Sequence, residues 1–308
     1  MSTNQKSTLN GLLLVDKPTG ITSHDVVAQA RKILQTREVG HSGTLDPLAT
    51  GLMILLIGEA TKLSSYVTDG DKTYRVRFKL GIETDTLDST GEILKTTAVS
   101  ASVSDVQKLA LKISGEISLP VPMYSAKKID GKKLYEYARE NQAVEQPQKI
   151  MKFWDVVHLD SSPENIFEFE LTCSKGSFIR SWVSELGQKL GCGATMTELR
   201  RVRSSQFSVD QGFTLEQLKS LANEGQKPEL IPLTEALNEM KKLKVKDMDL
   251  NLLKNGQISQ GLRIHLIRVF DPDCDQFVRV HSDRPENLVA LIGLDPKKGF
   301  VIRRIFNS

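Results

Sequence analysis

In Lys72–Leu80, KTYRVRFKL, every second residue from Tyr74 to Leu80 is apolar, and Arg75, Arg77 and Lys79 fall between them. A period of two belongs to an extended strand with one face buried, here with a basic outer face. Ile166–Cys173 repeats the pattern, with Phe167, Phe169, Leu171 and Cys173 on one side. Helical spacing surrounds these strands. Val26, Val27, Ala30, Ile33 and Leu34 follow a Thr22–Asp25 capping pattern, and Ile179, Trp182, Val183, Leu186 and Leu190 share one helical face. Half-buried strands interspersed with helices, without a regular βαβ rhythm, predict an α+β fold around a mixed, mainly antiparallel sheet.

A chain of 308 residues has room for about two domains, each with its own core. The texture changes after the polar stretch 223–229 and the helix-like LTEALNEMKKL. From residue 243, short apolar runs (Ile264–Phe270, Phe277–His281, Leu288–Leu294, Phe300–Phe306) alternate with turn clusters such as DPDCD and DPKKG. That spacing predicts a small β-barrel-like module. The expected division is a catalytic unit over 1–236, a linker over 237–242 and a terminal domain over 243–308. From Lys241 onward there are 13 Lys+Arg against 8 Asp+Glu, although the whole chain carries only +3. Basic charge gathered in a short segment suits a polyanionic partner or a plain solvated face.

Several chemistries find no support. The longest apolar run, Leu52–Ile57, cannot span a bilayer, and the N-terminal apolar stretch is too short for a secretory signal. Three widely spaced Cys argue against a disulfide scaffold, and the chain reads as cytoplasmic. No phosphate-binding loop, dinucleotide fingerprint, HExxH or nucleophile elbow occurs, so neither cofactor nor metal is expected.

The segment Gly40–Gly51, GHSGTLDPLATG, sets one carboxylate, Asp46, among three Gly and a Pro. Pro47 biases Asp46 towards an extended backbone, and Gly43 and Gly51 permit sharp turns on either side. Leu52–Ile57 then reads as a buried strand anchoring the loop. An isolated x-Asp-Pro equally fits an Asx-type turn.

GHSGTLDPLATG, preceded by LLLVDKPTGITSHDVV and followed by GEATKLSSYV, closely resembles the TruB family of tRNA pseudouridine synthases. The resemblance continues through DKTYRVRFKLGIETDTLDSTGEI, PVPMYSAKKIDGKKLYEYAR and CSKGSFIRSWVSELGQKLGCGATMTELRR, and covers most of residues 11–203. The terminal residues are similar, more weakly, to an RNA-binding PUA-type domain. The resemblance implies a pseudouridine synthase fold and isomerisation of the uridine at position 55 in the T loop of tRNA, without cofactor or metal. The base leaves C1′ through N1 and returns through C5. Asp46 falls on the family's essential aspartate, which attacks or assists at C1′ or deprotonates the sugar; addition to the base is a third route.

By the same resemblance Tyr74 stacks on the target base, Arg180 pairs with the aspartate, Leu199 lines the uracil pocket and His41 helps to hold or flip nucleotides. On pattern alone Tyr74 and Leu199 would be core residues, Arg180 a solvated helix residue and His41 a loop hydrogen-bonder. Phe178 departs from the family pattern, standing where many members have a tyrosine proposed to remove the C5 proton. It keeps the packing surface but has no hydroxyl. Lys127, Lys128, Lys132, Lys133, Arg139, Arg200, Arg201 and Arg203 are candidate phosphate contacts. The expected partner is the tRNA T arm, with no membrane and no obligate protein partner, the chain acting as a monomer. An RNA-binding or RNA-folding protein with secondary catalysis, or a synthase for another RNA, are the competing readings.

Overall fold

A computed structural model describes residues 9–140 and 142–307; the first eight positions of the 1–236 unit lie outside the described residues. The central element is a ten-stranded sheet. Its main path uses β1 (Gly11–Lys17), β2 (Thr50–Ile57), β3 (Lys72–Leu80), β4 (Gly115–Pro120), β5 (Gln148–Ser162), β6 (Ile166–Cys173), β7 (Ala194–Ser204) and β8 (Phe213–Thr214). The order is β8-β1-β2-β7-β3-β6-β5-β4, with the short strands Val39–Ser42 and Phe207–Ser208 added beside β2 and β7. Only the β8–β1 and β2–β7 pairs on this path are parallel, so the sheet is mixed and mainly antiparallel as the alternation predicts.

The sequence pattern explains which faces are buried. On β3, Val76, Phe78 and Leu80 are buried, and on β6 so are Phe167, Phe169, Leu171 and Cys173. The outer face of β3 is not simply basic. Arg75 lies 2.8 Å from Glu170, and Arg77 reaches Glu168 at 2.7 Å and Glu198 at 2.9 Å on the neighbouring strands. Strands β1 and β2 show no alternation because both faces are covered. Leu13, Val15, Met53 and Leu55 enter one core, while Leu12, Leu14, Leu52 and Ile54 enter a second. Each such fully buried side chain stabilises the fold by about 1.5–3 kcal/mol.

Helix α1 (Ser23–Ile33) starts at the Thr22 cap, where Thr22 and Asp25 satisfy each other's backbone N–H groups, and buries Val26, Val27 and Ala30. Helix α2 (Ile179–Lys189) packs Trp182, Val183 and Leu186 into the same core.

The C-terminal part is a separate sheet of β9 (Lys242–Val245), β10 (Val278–Ser282), β11 (Leu288–Asp295) and β12 (Gly299–Ile305). The run Ile264–Phe270 is not a further strand. It lies mostly in the helix Gln260–Val269, capped by Ser259, because Leu262, Leu266 and Phe270 recur every four residues and are buried together. LTEALNEMKKL likewise forms turns rather than a helix, until its last two residues enter β9. Its carbonyls are engaged elsewhere: Thr234, Asn238 and Met240 accept from the Arg279 guanidinium, and Glu235 from the Gln206 amide. Beyond the polar stretch, Ile231 pairs with Leu12, and Leu237 is buried with Leu288, Leu291 and Phe306 in the second core. Among the described residues no helix is long and apolar enough to cross a membrane.

Candidate active site

Asp46 sits in a loop fixed from beneath. Lys17, at the end of β1, is fully buried, and its Nζ donates to Ala49 O at 2.6 Å, Pro18 O at 2.9 Å and Pro47 O at 3.3 Å. Burial pulls its pKa down to about 8, partly opposed by the Asp46 charge. Ser23 Oγ, at the start of α1, donates to Leu45 O at 3.0 Å and accepts from Leu45 N at 2.9 Å. At Gly51 (φ +99°) a side-chain carbon would stand 2.3 Å from Arg201 O across the parallel β2–β7 pair, so only glycine fits. Gly43 (φ +83°) also uses the left-handed region, and its carbonyl accepts from Arg201.

The carboxylate itself is held by Arg180 rather than by an Asx turn. Arg180 Nη2 lies 3.0 Å from Asp46 Oδ2, and Arg180 is 5% exposed against 40% for Asp46. The solvated-helix alternative for Arg180 therefore fails. It is the second residue of α2, and both terminal nitrogens are engaged: Nη2 also donates to Tyr124 O at 2.9 Å, and Nη1 donates to Thr86 O at 3.0 Å and lies 3.5 Å from Asp88 Oδ2. Asp88 is buried, and its other oxygen accepts from Thr86 Oγ1 at 2.9 Å, Thr90 N at 3.0 Å and Thr90 Oγ1 at 2.5 Å. The result is Asp46–Arg180–Asp88, a chain with one exposed end.

Asp46 opens onto a cavity of about 400 Å³ that Tyr74, Phe178, Arg180 and Leu199 also line. Four of the five other expected site residues thus meet Asp46, drawn from β3, β7 and the start of α2. Burial raises the Tyr74 phenol above its ordinary range. Phe178 is half-buried at the helix start, its N–H directed at Met151 Sδ, 3.3 Å away. His41 is not among the cavity-lining residues. It packs edge-on against His24, ring centroids 5.9 Å apart, with Nδ1 buried and unpartnered. Burial and the neighbouring His24 lower its pKa.

Of the expected phosphate contacts, Lys127 lines the cavity mouth, together with Lys149 and Lys175, which sequence reading missed. Arg201 also lines the cavity but is buried, its Nε donating to Leu52 O at 2.6 Å, and Arg200 forms a two-pronged pair with Asp16 at 3.0 and 2.7 Å. Lys132 is paired with Glu140. Asp88 and Lys17 were also missed, because a buried ion is invisible in a pattern of polar residues until its partner is known.

A single half-exposed carboxylate beside a buried arginine thus opens onto a cavity with two aromatic and six cationic side chains in its lining. The family model described as the N-terminal domain of TruB family pseudouridylate synthase matches residues 31–179, and the tRNA pseudouridylate synthase B C-terminal domain matches 180–243. The tRNA pseudouridine synthase B of Bdellovibrio bacteriovorus is 52% identical over 303 residues, 98% of each chain. That of Bacillus subtilis is 39% identical over 257 residues, covering 81% of this chain and 83% of its own. A chain in an H/ACA RNP bound to a substrate RNA containing 2′-deoxyuridine superposes with a TM-score of 0.70 at 21% identity, over 97% of this chain and 85% of its own. One from an archaeal Nop10–Cbf5 complex also gives 0.70 at 21% identity, over 98% and 88%. At that identity the likeness is one of fold. The chain belongs to the TruB family.

Proposed function

We propose that this chain isomerises uridine to pseudouridine at position 55 in the T loop of tRNA, with Asp46 as the catalytic group. The observation that carries the reading is the Asp46–Arg180 contact of 3.0 Å, which aims one carboxylate into the cavity from a loop that Lys17, Ser23 and Gly51 hold rigid. A carboxylate so fixed can attack or assist at C1′, or take a proton from the sugar, without a metal. The target uridine must leave a stacked loop, at a cost of a few kcal/mol. Stacking on Tyr74, packing on Phe178 and Leu199, and phosphate contacts at the cavity mouth offset it. His41 acts on the RNA from outside the cavity, beside His24.

The terminal domain, 243–308, is of the PUA type in this reading and extends the RNA footprint. A cleft of about 1200 Å³ is lined by Arg263, Lys298, Arg303 and Arg304 of this domain and by Lys62 of the 1–236 unit. The chain works without an obligate protein partner. The test is an unmodified full-length tRNA transcript, with pseudouridine mapped by carbodiimide labelling and primer extension. Conversion at the T-loop uridine alone is expected. Conversion only at other uridines, or in another RNA in preference to tRNA, would overturn the substrate assignment.

A further inference from the structure

The cavity holds more positive charge than its walls neutralise. Among its lining residues Asp46 is the single carboxylate, against Lys72, Lys127, Lys149, Lys175, Arg180 and Arg201. Arg180 is countered by Asp46 and Asp88, and Lys175 by Asp69. The surface cations of the same sheet, Arg75, Arg77 and Arg200, are likewise paired with carboxylates. Lys72 and Arg201 differ. They are 7% and 2% exposed, and neither has a carboxylate within 4.0 Å among the described residues.

Their partners are backbone carbonyls and, for Arg201, the Tyr74 hydroxyl. Arg201 donates to Leu52 O and Gly43 O, and Lys72 Nζ to Thr68 O and Gly70 O. An ammonium has three N–H groups, so one on Lys72 is uncommitted. Two buried cations with no carboxylate in contact are costly to hold. Their mutual repulsion is visible in Lys72, whose pKa falls to about 8 through burial first and the Arg201 charge second. Such an arrangement persists where an anion arrives to relieve it.

Register says where that anion would be. Lys72 and Tyr74 are two apart on β3, hence on one face and about 7 Å apart along the strand. Arg201 is directly opposite Tyr74 on β7. The two cations therefore flank the aromatic ring assigned above to the target base.

We infer that Lys72, with Arg201 behind it, is the electrostatic support for the uracil anion released during the isomerisation. When C1′–N1 breaks, the electron pair stays with the base, and the charge spreads over N1, O2, O4 and C5. After the base turns, C5 returns the pair to C1′, then C5 loses its proton and N1 gains one, so the product is an isomer and nothing else is consumed. A preorganised cation in a water-poor pocket stabilises the anion without reorganising at the moment of reaction. Asp46 manages the sugar and Lys72 the leaving base. This division rests on the uridine-isomerase reading.

The test compares Lys72→Met and Lys72→Arg with the wild type on a T-arm stem-loop transcript, measuring RNA affinity and single-turnover rate separately from pH 6.5 to 9. Charged groups around Lys72 are Asp69, Asp71 and Arg201; the Cys173 thiol, pushed up to about 12 by burial, stays neutral in this range, and Lys17 has a similarly lowered pKa, so the comparison must isolate Lys72. The protonated ammonium is the active form, so the wild-type kcat/KM should fall as pH rises through about 8. Lys72→Arg, charged throughout, should keep most of the rate and move that fall to higher pH. Lys72→Met should lose at least tenfold in rate at saturating RNA, with affinity changed less than about threefold. A folded Lys72→Met variant at the wild-type rate, a loss carried wholly by affinity, or an unchanged alkaline fall in Lys72→Arg would each overturn the inference. The last applies even if Lys72→Met does not fold. A wild type that converts no uridine would instead remove the underlying functional reading.

Discussion

Arg180 joins Asp46 to Asp88: one terminal nitrogen lies 3.0 Å from the first carboxylate, the other 3.5 Å from the second. The exposed aspartate can turn only as far as the buried end allows. Hydrogen bonds from its two terminal nitrogens to Thr86 O and Tyr124 O orient the planar fork before RNA arrives.

Asp88→Asn should therefore slow conversion while leaving RNA affinity near wild type. A loss of tenfold or more at saturating RNA, about 1.4 kcal/mol in barrier, is expected. Arg180→Lys should be at least as damaging, since an ammonium cannot reproduce the two-sided fork. Single-turnover kinetics beside an RNA-binding titration checks both.

Gly51→Ala should destabilise the fold by about 3 kcal/mol or more, because the added carbon meets the Arg201 backbone in a left-handed conformation. Gly20→Ala gives a control with positive φ but open space around it, and should cost only about 1 kcal/mol. Thermal or denaturant unfolding distinguishes the two.

Phe178→Tyr should turn over at a near-native rate. The residue lines the cavity at the start of α2, so an added hydroxyl has open volume beside it. A gain of tenfold or more would show that proton removal from C5 limits the natural enzyme.

The terminal cleft is best probed by charge reversal. Deleting the domain would strip Leu288, Leu291 and Phe306 from the core they share with Leu12, Leu14 and Leu52, and so uncover β1 and β2. Arg263→Glu and Arg304→Glu should each weaken tRNA binding and reduce the slope of log affinity against log salt by about 1, with the rate at saturation unchanged.

The alternation in β3 and β6 and the capped face of α1 made the sheet and its covering helices readable directly from the sequence. The unbroken apolar run Leu52–Ile57 likewise marked β2 as a buried strand, but not what covers its second face, which includes residues as distant as Leu288, Leu291 and Phe306. In the terminal module, the four-residue recurrence of Leu262, Leu266 and Phe270 is a helix signal that the surrounding turn clusters obscured. Asp46 stood out as the lone carboxylate of a glycine-rich loop, whereas its supports did not. Lys17 and Lys72 are ions bound to backbone carbonyls, and Asp88 is held by its neighbours Thr86 and Thr90 and faces the distant Arg180, contacts that a pattern of polar residues does not single out. Arg201 looked like part of a basic surface run and is buried, since strand alternation separates it from Arg200.

The central claim is that Asp46 performs the isomerisation. The most direct measurement incubates wild type and Asp46→Asn with an unmodified T-arm stem-loop transcript in EDTA and reads pseudouridine by carbodiimide labelling and primer extension. Conversion of the T-loop uridine by the wild type alone, with both proteins binding the RNA, is the predicted result. Equal conversion by both, or binding by both with conversion by neither, would contradict it.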